Sequence, residues 1–246
     1  MSYGQFASIY DQFMYDQPYD RWLEVIRPYL KDNVLDLATG TGALIDLMPP
    51  TIKVTGVDLS EEMLAIAASK RSDVTLIAQD MTKLELNQKF QLITCLCDSL
   101  NYLAEPEDIQ ETFQRVFEHL EEDGIFIFDV HSTAKFEAYF DNQTYSDELE
   151  GMLYIWHAVQ GEVPFSVYHD LIFFIKDNEK DIYHRFDEQH YQRTYEIDEY
   201  KVMLGQIGFE IITIFADFDP DFVVDTNDEA YFDRVFFVVK KKEKIK

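Results

Sequence analysis

Cysteine is nearly absent from this 246-residue chain: two occur, Cys95 and Cys97. Two apart in one predicted strand, they point to one face but stand too close in sequence to make a good disulfide. No other cysteine exists to build a metal site, so both are expected as buried reduced thiols. Basic residues are scarce as well, with 21 Lys and Arg against 47 Asp and Glu and a formal net charge of −26. Such a field repels a duplex or a tRNA, and no basic stripe offsets it. The one basic cluster, residues 240–246, reads as a solvated terminus, so nucleic acid is not expected as a substrate. Long apolar runs are missing too. The opening MSYGQFASIYDQF has neither a basic flank nor an apolar core, so no signal peptide or membrane span is expected and the cytoplasm is the default location. No metal is expected either. No two of His157, His169, His184 and His190 have ligand spacing, and the acids from Asp217, Asp219 and Asp221 to Asp225, Asp228 and Glu229 lack the D-x-D-x-D-G order of a calcium loop.

What is present is a globular composition, 47% hydrophobic and 15% aromatic, organised around residues 33–60. Val34-Leu35-Asp36-Leu37-Ala38 is an apolar run broken by one acid, the pattern of a buried parallel strand that ends at a ligand loop. Thr39-Gly40-Thr41-Gly42 follows, a turn in which the missing Cβ atoms let backbone approach a ligand closely. Residues 43–48 read as a short helix whose N-terminal amides face that ligand, and Pro49-Pro50 stops it. A second run, residues 52–57, ends in Asp58, and Ser60 starts a helix with Glu61 and Glu62 in its first turn. An acid at the end of the second strand of a β-α-β unit can accept hydrogen bonds from two vicinal ribose hydroxyls. The unit therefore reads as a nucleoside-cofactor site.

A dinucleotide site would want G-x-G-x-x-G, but Ile45 holds the third position. Asp36 beside the loop opposes a pyrophosphate and suits a ligand carrying an ammonium group. This combination, an acid-bearing strand, Gly40 and Gly42, then Asp58, resembles the class I S-adenosylmethionine-dependent methyltransferases. The resemblance implies S-adenosylmethionine as cofactor. It places Asp36, Ala38, Thr39, Gly40, Thr41 and Gly42 around the methionine end, Asp58 at the ribose, and Leu59, Met63, Gln79, Asp80 and Met81 around the adenine. Cys97, Asp98 and Ser99, after a strand at 90–96, fall beside the transferable methyl group, with Asn101 and Tyr102 behind. The N-terminal aromatics of two helical patterns in residues 3–30, Tyr3, Tyr10, Tyr19 and Trp22 among them, lie across the cofactor mouth, and Tyr10 and Trp22 are taken as contacts. The Pro-Pro-aromatic signature of members that act on adenine or amide nitrogen is missing.

Five strands alternate with helices up to residue 130, which implies a parallel sheet with right-handed crossovers. His131, released by the fifth strand, is the candidate general base. From 134 to 195 the pattern becomes period two and aromatic, an antiparallel meander of three or more strands with a turn at Asp177-Asn178-Glu179-Lys180. Glycine and sugar N-methyltransferases look similar here and place such a sheet over the active site. A helix from 197, ending at Gly205 or Gly208, and two strands at 209–216 and 234–240 complete the chain. The expected fold is α/β: a Rossmann-like, seven-stranded, mostly parallel sheet with an antiparallel last strand (residues 1–133 and 196–246), plus an inserted antiparallel lid (134–195). The expected partner is a small-molecule methyl acceptor with an N or O nucleophile, and the lid offers a surface for a homodimer. A non-catalytic cofactor-binding protein and a methyltransferase for a basic protein partner are the alternatives.

Overall fold

The computed structural model describes residues 3–177, 179–226 and 231–242, the side chains of residues 3–6 and 8 apart. The side chain of Tyr3, and Asn178, Asp228, Glu229 and residues 243–246, lie outside the described residues. Strands β1 (Asn33–Leu37), β2 (Lys53–Asp58), β3 (Thr75–Ala78), β4 (Phe90–Cys95) and β5 (Leu120–His131) alternate with helices α3 (Ala43–Leu47), α4 (Glu61–Lys70) and α5 (Pro106–His119). Helices α1 (Tyr3–Phe13) and α2 (Tyr19–Ile26) precede them. After β5 come α6 (Thr133–Tyr139), β6 (Gln143–Leu149), β7 (Met152–Gln160), β8 (Ser166–Asp177) and β9 (Ile182–Arg193). Helix α7 (Ile197–Ile207) leads back to β10 (Phe209–Ala216) and β11 (Arg234–Lys241).

Two sheets result. The larger has the order β10-β11-β5-β4-β1-β2-β3, and the smaller is β6-β7-β8-β9. β1 to β5 pair in parallel, while β11 runs antiparallel to both β5 and β10. This is the expected α/β fold. The apolar runs of β1, β4 and β11 are buried on both faces because helices cover both sides of a parallel sheet. Ser60 caps α4 by accepting from the Met63 amide, and Gly208 ends α7 in the left-handed region at φ 108°.

The expected boundaries shift in three places. Residues 133–139 are a helix rather than part of the meander, because Ser132 caps the Lys135 amide and turns Phe136 and Phe140 inward. The meander has a fourth strand, β6, whose mostly exposed residues carry no apolar alternation to reveal it. Cys97 does not share a strand with Cys95. β4 stops at Cys95, and Cys97 sits in the left-handed region at φ 58°. Both thiols are free.

Candidate active site

The carboxyl edge of the parallel sheet opens into a cavity of about 150 Å³ walled by the loops after β1 and β4. On the first wall Asp36 is buried, its Oδ2 accepting from the Thr39 hydroxyl at 2.6 Å and its Oδ1 from the Thr94 hydroxyl at 2.6 Å. No cation pairs with it among the described residues, and burial pushes its carboxyl up to about 6 despite the two hydroxyls. The chain then turns through Ala38, Gly40 and Gly42, all in the left-handed region. A Cβ at Gly40 would meet nothing within 4 Å, so the backbone there stands open. Gly42 has the opposite reason for being glycine: a Cβ would come within 2.9 Å of the Ala67 Cβ on α4. Asp58 holds the loop by accepting from the amides of Gly40 (2.7 Å) and Ser60 (2.9 Å). Leu59, beside it, is 72% exposed, an apolar shelf next to an acid. Helix α1 straps this wall: Asp11 accepts from the Thr41 hydroxyl and pairs with Lys70 at 2.6 Å.

The second wall is built on buried charge. Asp129, inside β5, is fully buried and accepts from the indole N–H of Trp22 (3.1 Å) and the amides of Cys97 (2.8 Å) and Asp98 (3.1 Å). The Arg234 guanidinium donates to Asp129 and, at 2.9 Å, to Asp98 Oδ1, and it lies over the Trp22 ring. These donors hold Cys97 and Asp98 in consecutive left-handed conformations. Burial alone would raise the Asp98 carboxyl, but His131 and Arg234 outweigh it and hold the group well below the usual carboxylate range. Asn101 is a brace, its amide donating to the Arg193 carbonyl and its oxygen accepting from the His131 amide.

Of the expected contacts, Asp36, Ala38, Thr39, Gly40, Thr41, Cys97, Asp98, Ser99 and Tyr10 line the cavity. Gly42, Asp58 and Leu59 adjoin it along the loop and strand edge. Four others go elsewhere. Trp22 is enclosed in the core beneath Arg234 and Phe218. Met63 packs between α1 and the smaller sheet with Ile9, Leu171 and Phe173. The Gln79 side chain exchanges hydrogen bonds with the Glu85 backbone. His131 lies behind Asp98, its Nε2 3.4 Å from Asp98 Oδ2 and its ring against Phe140. Burial pushes it down to about 3, and its second nitrogen finds no hydrogen-bond partner among the described residues. It is not among the residues that line the cavity. Asp80 accepts from the Thr82 amide and hydroxyl as the cap of a single turn, and Met81 packs against the main core.

The residues that sequence reasoning missed come from far along the chain. Leu171 and His190 of the smaller sheet roof the cavity with Phe13, Met14 and Gln17, and Thr94, Asp129 and Arg234 set the acids from behind. A charged residue inside an apolar strand, as at Asp129, was the signal available for that set.

A methyltransferase-domain family model matches residues 34–124, the span from β1 into β5. The "Putative methyltransferase YqeM" of Bacillus subtilis (strain 168) is 41% identical over 252 residues, covering 100% of this chain and 99% of that protein. The crystal structure of an S-adenosylmethionine-dependent methyltransferase from Clostridium acetobutylicum superposes with a TM-score of 0.84 at 32% identity, covering 98% of this chain and 99% of that one. A glycine/sarcosine N-methyltransferase of Aphanothece halophytica is 27% identical over 227 residues, 82% of this chain and 78% of that protein. The open backbone at Gly40, the ribose-type acid at Asp58 and the uncompensated carboxylate of Asp36 fit that cofactor's amino-acid and nucleoside ends. The chain belongs to the class I S-adenosylmethionine-dependent methyltransferases.

Proposed function

We propose that this methyltransferase acts on a small acceptor with an N or O nucleophile, enclosed beneath residues 134–195, which serve as a lid on the cofactor-binding part formed by 1–133 and 196–246. The observation that carries this reading is the roof: Leu171 and His190 from the smaller sheet, with Tyr10, Phe13 and Tyr19 from the N-terminal helices, close over both loops. The cavity between the two loops, about 150 Å³, lies beneath that roof. Among the described residues no Lys or Arg lines it, while Asp36 and Asp98 do. An acceptor bearing an acidic group therefore meets no counter-ion, and a neutral or cationic one is preferred.

S-adenosylmethionine, when bound, supplies a methyl group already activated on sulfonium. In this reading Asp36 and the backbone of Ala38, Thr39, Gly40, Thr41 and Gly42 hold its amino-acid end, and Asp58 takes the ribose hydroxyls. Leu59 lies against the adenine, with Asp80 and Met81 at its edge. Cys97, Asp98 and Ser99 border the reacting atoms. What the chain contributes is placement, which is able to supply about 7–11 kcal/mol of a barrier, and exclusion of water by the aromatic roof. Neither acid is an effective base for an ammonium acceptor: Asp98 is held strongly acidic and Asp36 is matched to the cofactor. The acceptor then has to arrive unprotonated, so the rate on an amine should rise with pH until the amine's own pKa is passed.

The test is to follow S-adenosylhomocysteine formation with a panel of small amines, amino sugars and hydroxy compounds beside a basic polypeptide. Turnover with a small neutral or cationic acceptor is expected. Turnover with the polypeptide alone would replace this reading by that of a protein methyltransferase.

A further inference from the structure

Across the smaller sheet the cavity-facing layer is mostly apolar, with Leu171, Phe173 and Met152 buried together. One polar line interrupts it. The Trp156 indole N–H on β7 donates to His169 Nδ1 on β8 at 3.0 Å. His169 Nε2 stands 3.1 Å from Gln192 Oε1 on β9. The Gln192 amide in turn donates to Asp98 Oδ2 at 3.0 Å. His169 and Gln192 are 7% and 3% exposed, so water does not substitute for these bonds.

The direction of every bond is forced. Indole nitrogen donates only, so His169 Nδ1 is bare and Nε2 carries the proton. Gln192 must then turn its oxygen to His169 and its NH2 to Asp98, whose Oδ2 accepts. Burial pushes His169 down to about 4, which keeps this neutral tautomer in place. The other groups facing Asp98 agree, since Arg234 donates to Oδ1 and His131 approaches Oδ2. Apolar side chains would fill the same layer with no bonds to satisfy, and a half-satisfied polar line is worse than none. The line is a fully matched connection between the lid and a cavity-wall residue held at φ 53°.

We propose that Gln192 is a positioning residue that couples the lid to the methyl-transfer loop, so that filling the cavity at Asp98 is felt at Trp156 through His169. This rests on the reading of residues 134–195 as a lid. Asp98 would shift its hydrogen bonds when the cavity fills, and the matched donor–acceptor order passes that shift outward one bond at a time.

The chain provides its own control, because it has two tryptophans. Trp22 reports on Asp129 through its own hydrogen bond, and Trp156 reports on Asp98 through Gln192. In protein labelled with 15N-tryptophan, titration with S-adenosylhomocysteine should move both indole N–H signals. In Gln192→Met, which can neither donate to Asp98 nor accept from His169, the Trp22 signal should still move while the Trp156 shift falls at least fivefold. The two proteins are compared at S-adenosylhomocysteine concentrations that saturate each by calorimetry. A Trp156 signal that ignores ligand in the natural protein, or moves equally in Gln192→Met, overturns the proposal. Should that variant fail to fold, 15N-histidine spectra of the natural protein decide: His169 protonated on Nε2 upholds the line, and on Nδ1 breaks it. Absence of adenosyl-ligand binding by calorimetry would instead strike the cofactor assignment, and the tautomer measurement would still judge the line.

Discussion

Asp36 and Asp98 face one cavity from opposite walls, and their charges are met in opposite ways. Asp36 is met only by two hydroxyls, and its proton affinity rises. Asp98 is met by Arg234, Gln192 and His131, and its proton affinity falls. The first carboxylate is left wanting a cation, which fits a site that receives one from a ligand. The second has its charge answered within the protein, so it shapes the cavity and has little attraction left over. The same contrast holds in the backbone. Ala38, Cys97 and Asp98 are all non-glycine residues in the left-handed region, at roughly 1–3 kcal/mol each. The Ala38 turn is held by neighbours within about twenty residues, whereas the Cys97–Asp98 turn is held by Asp129 across more than thirty.

The largest effect should come from breaking the second wall. Arg234→Met leaves the buried Asp129 and the half-buried Asp98 without their cation, a change of about 3–5 kcal/mol when one partner of a buried pair such as Arg234–Asp129 is removed. Urea unfolding should show that loss. Adding Asp129→Asn should recover part of it, because one of the two stranded charges is gone. An Arg234→Met protein as stable as the natural one would mean the charge cluster is not what holds this wall.

The first wall should respond in binding before stability. Asp58→Ala removes an acceptor of two backbone amides that also sits where the ribose hydroxyls are expected. Cofactor affinity measured by calorimetry should drop tenfold or more, in line with about 1.5–3 kcal/mol for a hydrogen bond to a charged group. Unchanged affinity would remove Asp58 from the site.

Asp36 gives the next effect, and it carries a sign. Burial pushes its carboxyl up from the ordinary 3.8 to about 6. The folded state thus binds more protons than the unfolded state across pH 4–6, and stability of the free protein falls as pH rises through that window. A cationic amino group prefers the ionised form, so cofactor affinity should fall as pH drops below 6, approaching tenfold per unit. Asp36→Asn should bind weakly and with no such pH dependence. The same slope in both proteins would show that another group titrates.

The two walls also differ in how far they could be read in advance. The first is contiguous: strand, acid, glycines, helix and Asp58 fall within residues 33–60, and local pattern is what periodicity and turn chemistry report. β1, α4 and the antiparallel last strand emerged where alternation and caps placed them. The second wall draws on Asp129, Gln192 and Arg234 from three distant strands, and nothing local marks side chains that meet only through the sheet register pairing Arg234 with His131. His131, the candidate general base, lies behind Asp98 and outside the cavity lining. A histidine at a strand end looks available until α6 folds Phe136 and Phe140 over its ring. Trp22, expected as a cofactor contact, is instead buried in the core, its indole donating to Asp129 107 residues away. His190, noted in the sequence only for lacking metal-ligand spacing, lines the cavity from β9.

The smallest effects separate strain from function most cleanly. Gly40 and Gly151 are both left-handed, at φ 55° and 78°, and a Cβ at either meets nothing within 4 Å. Alanine at each should therefore cost the same intrinsic amount, about 1–2 kcal/mol of stability, for placing a Cβ in that region. Gly151 lies in the turn between β6 and β7, away from the cavity, and Gly40 lines the cavity. Equal losses in unfolding free energy are expected from Gly40→Ala and Gly151→Ala, with cofactor affinity weakened only by the first. At Gly42 the left-handed penalty is joined by the 2.9 Å approach to Ala67, so Gly42→Ala should lose more stability than either. If Gly40→Ala bound the cofactor as well as Gly151→Ala does, the open space above Gly40 would be a feature of the turn alone. The first wall would then owe its affinity to Asp36 and Asp58, not to close approach of the backbone.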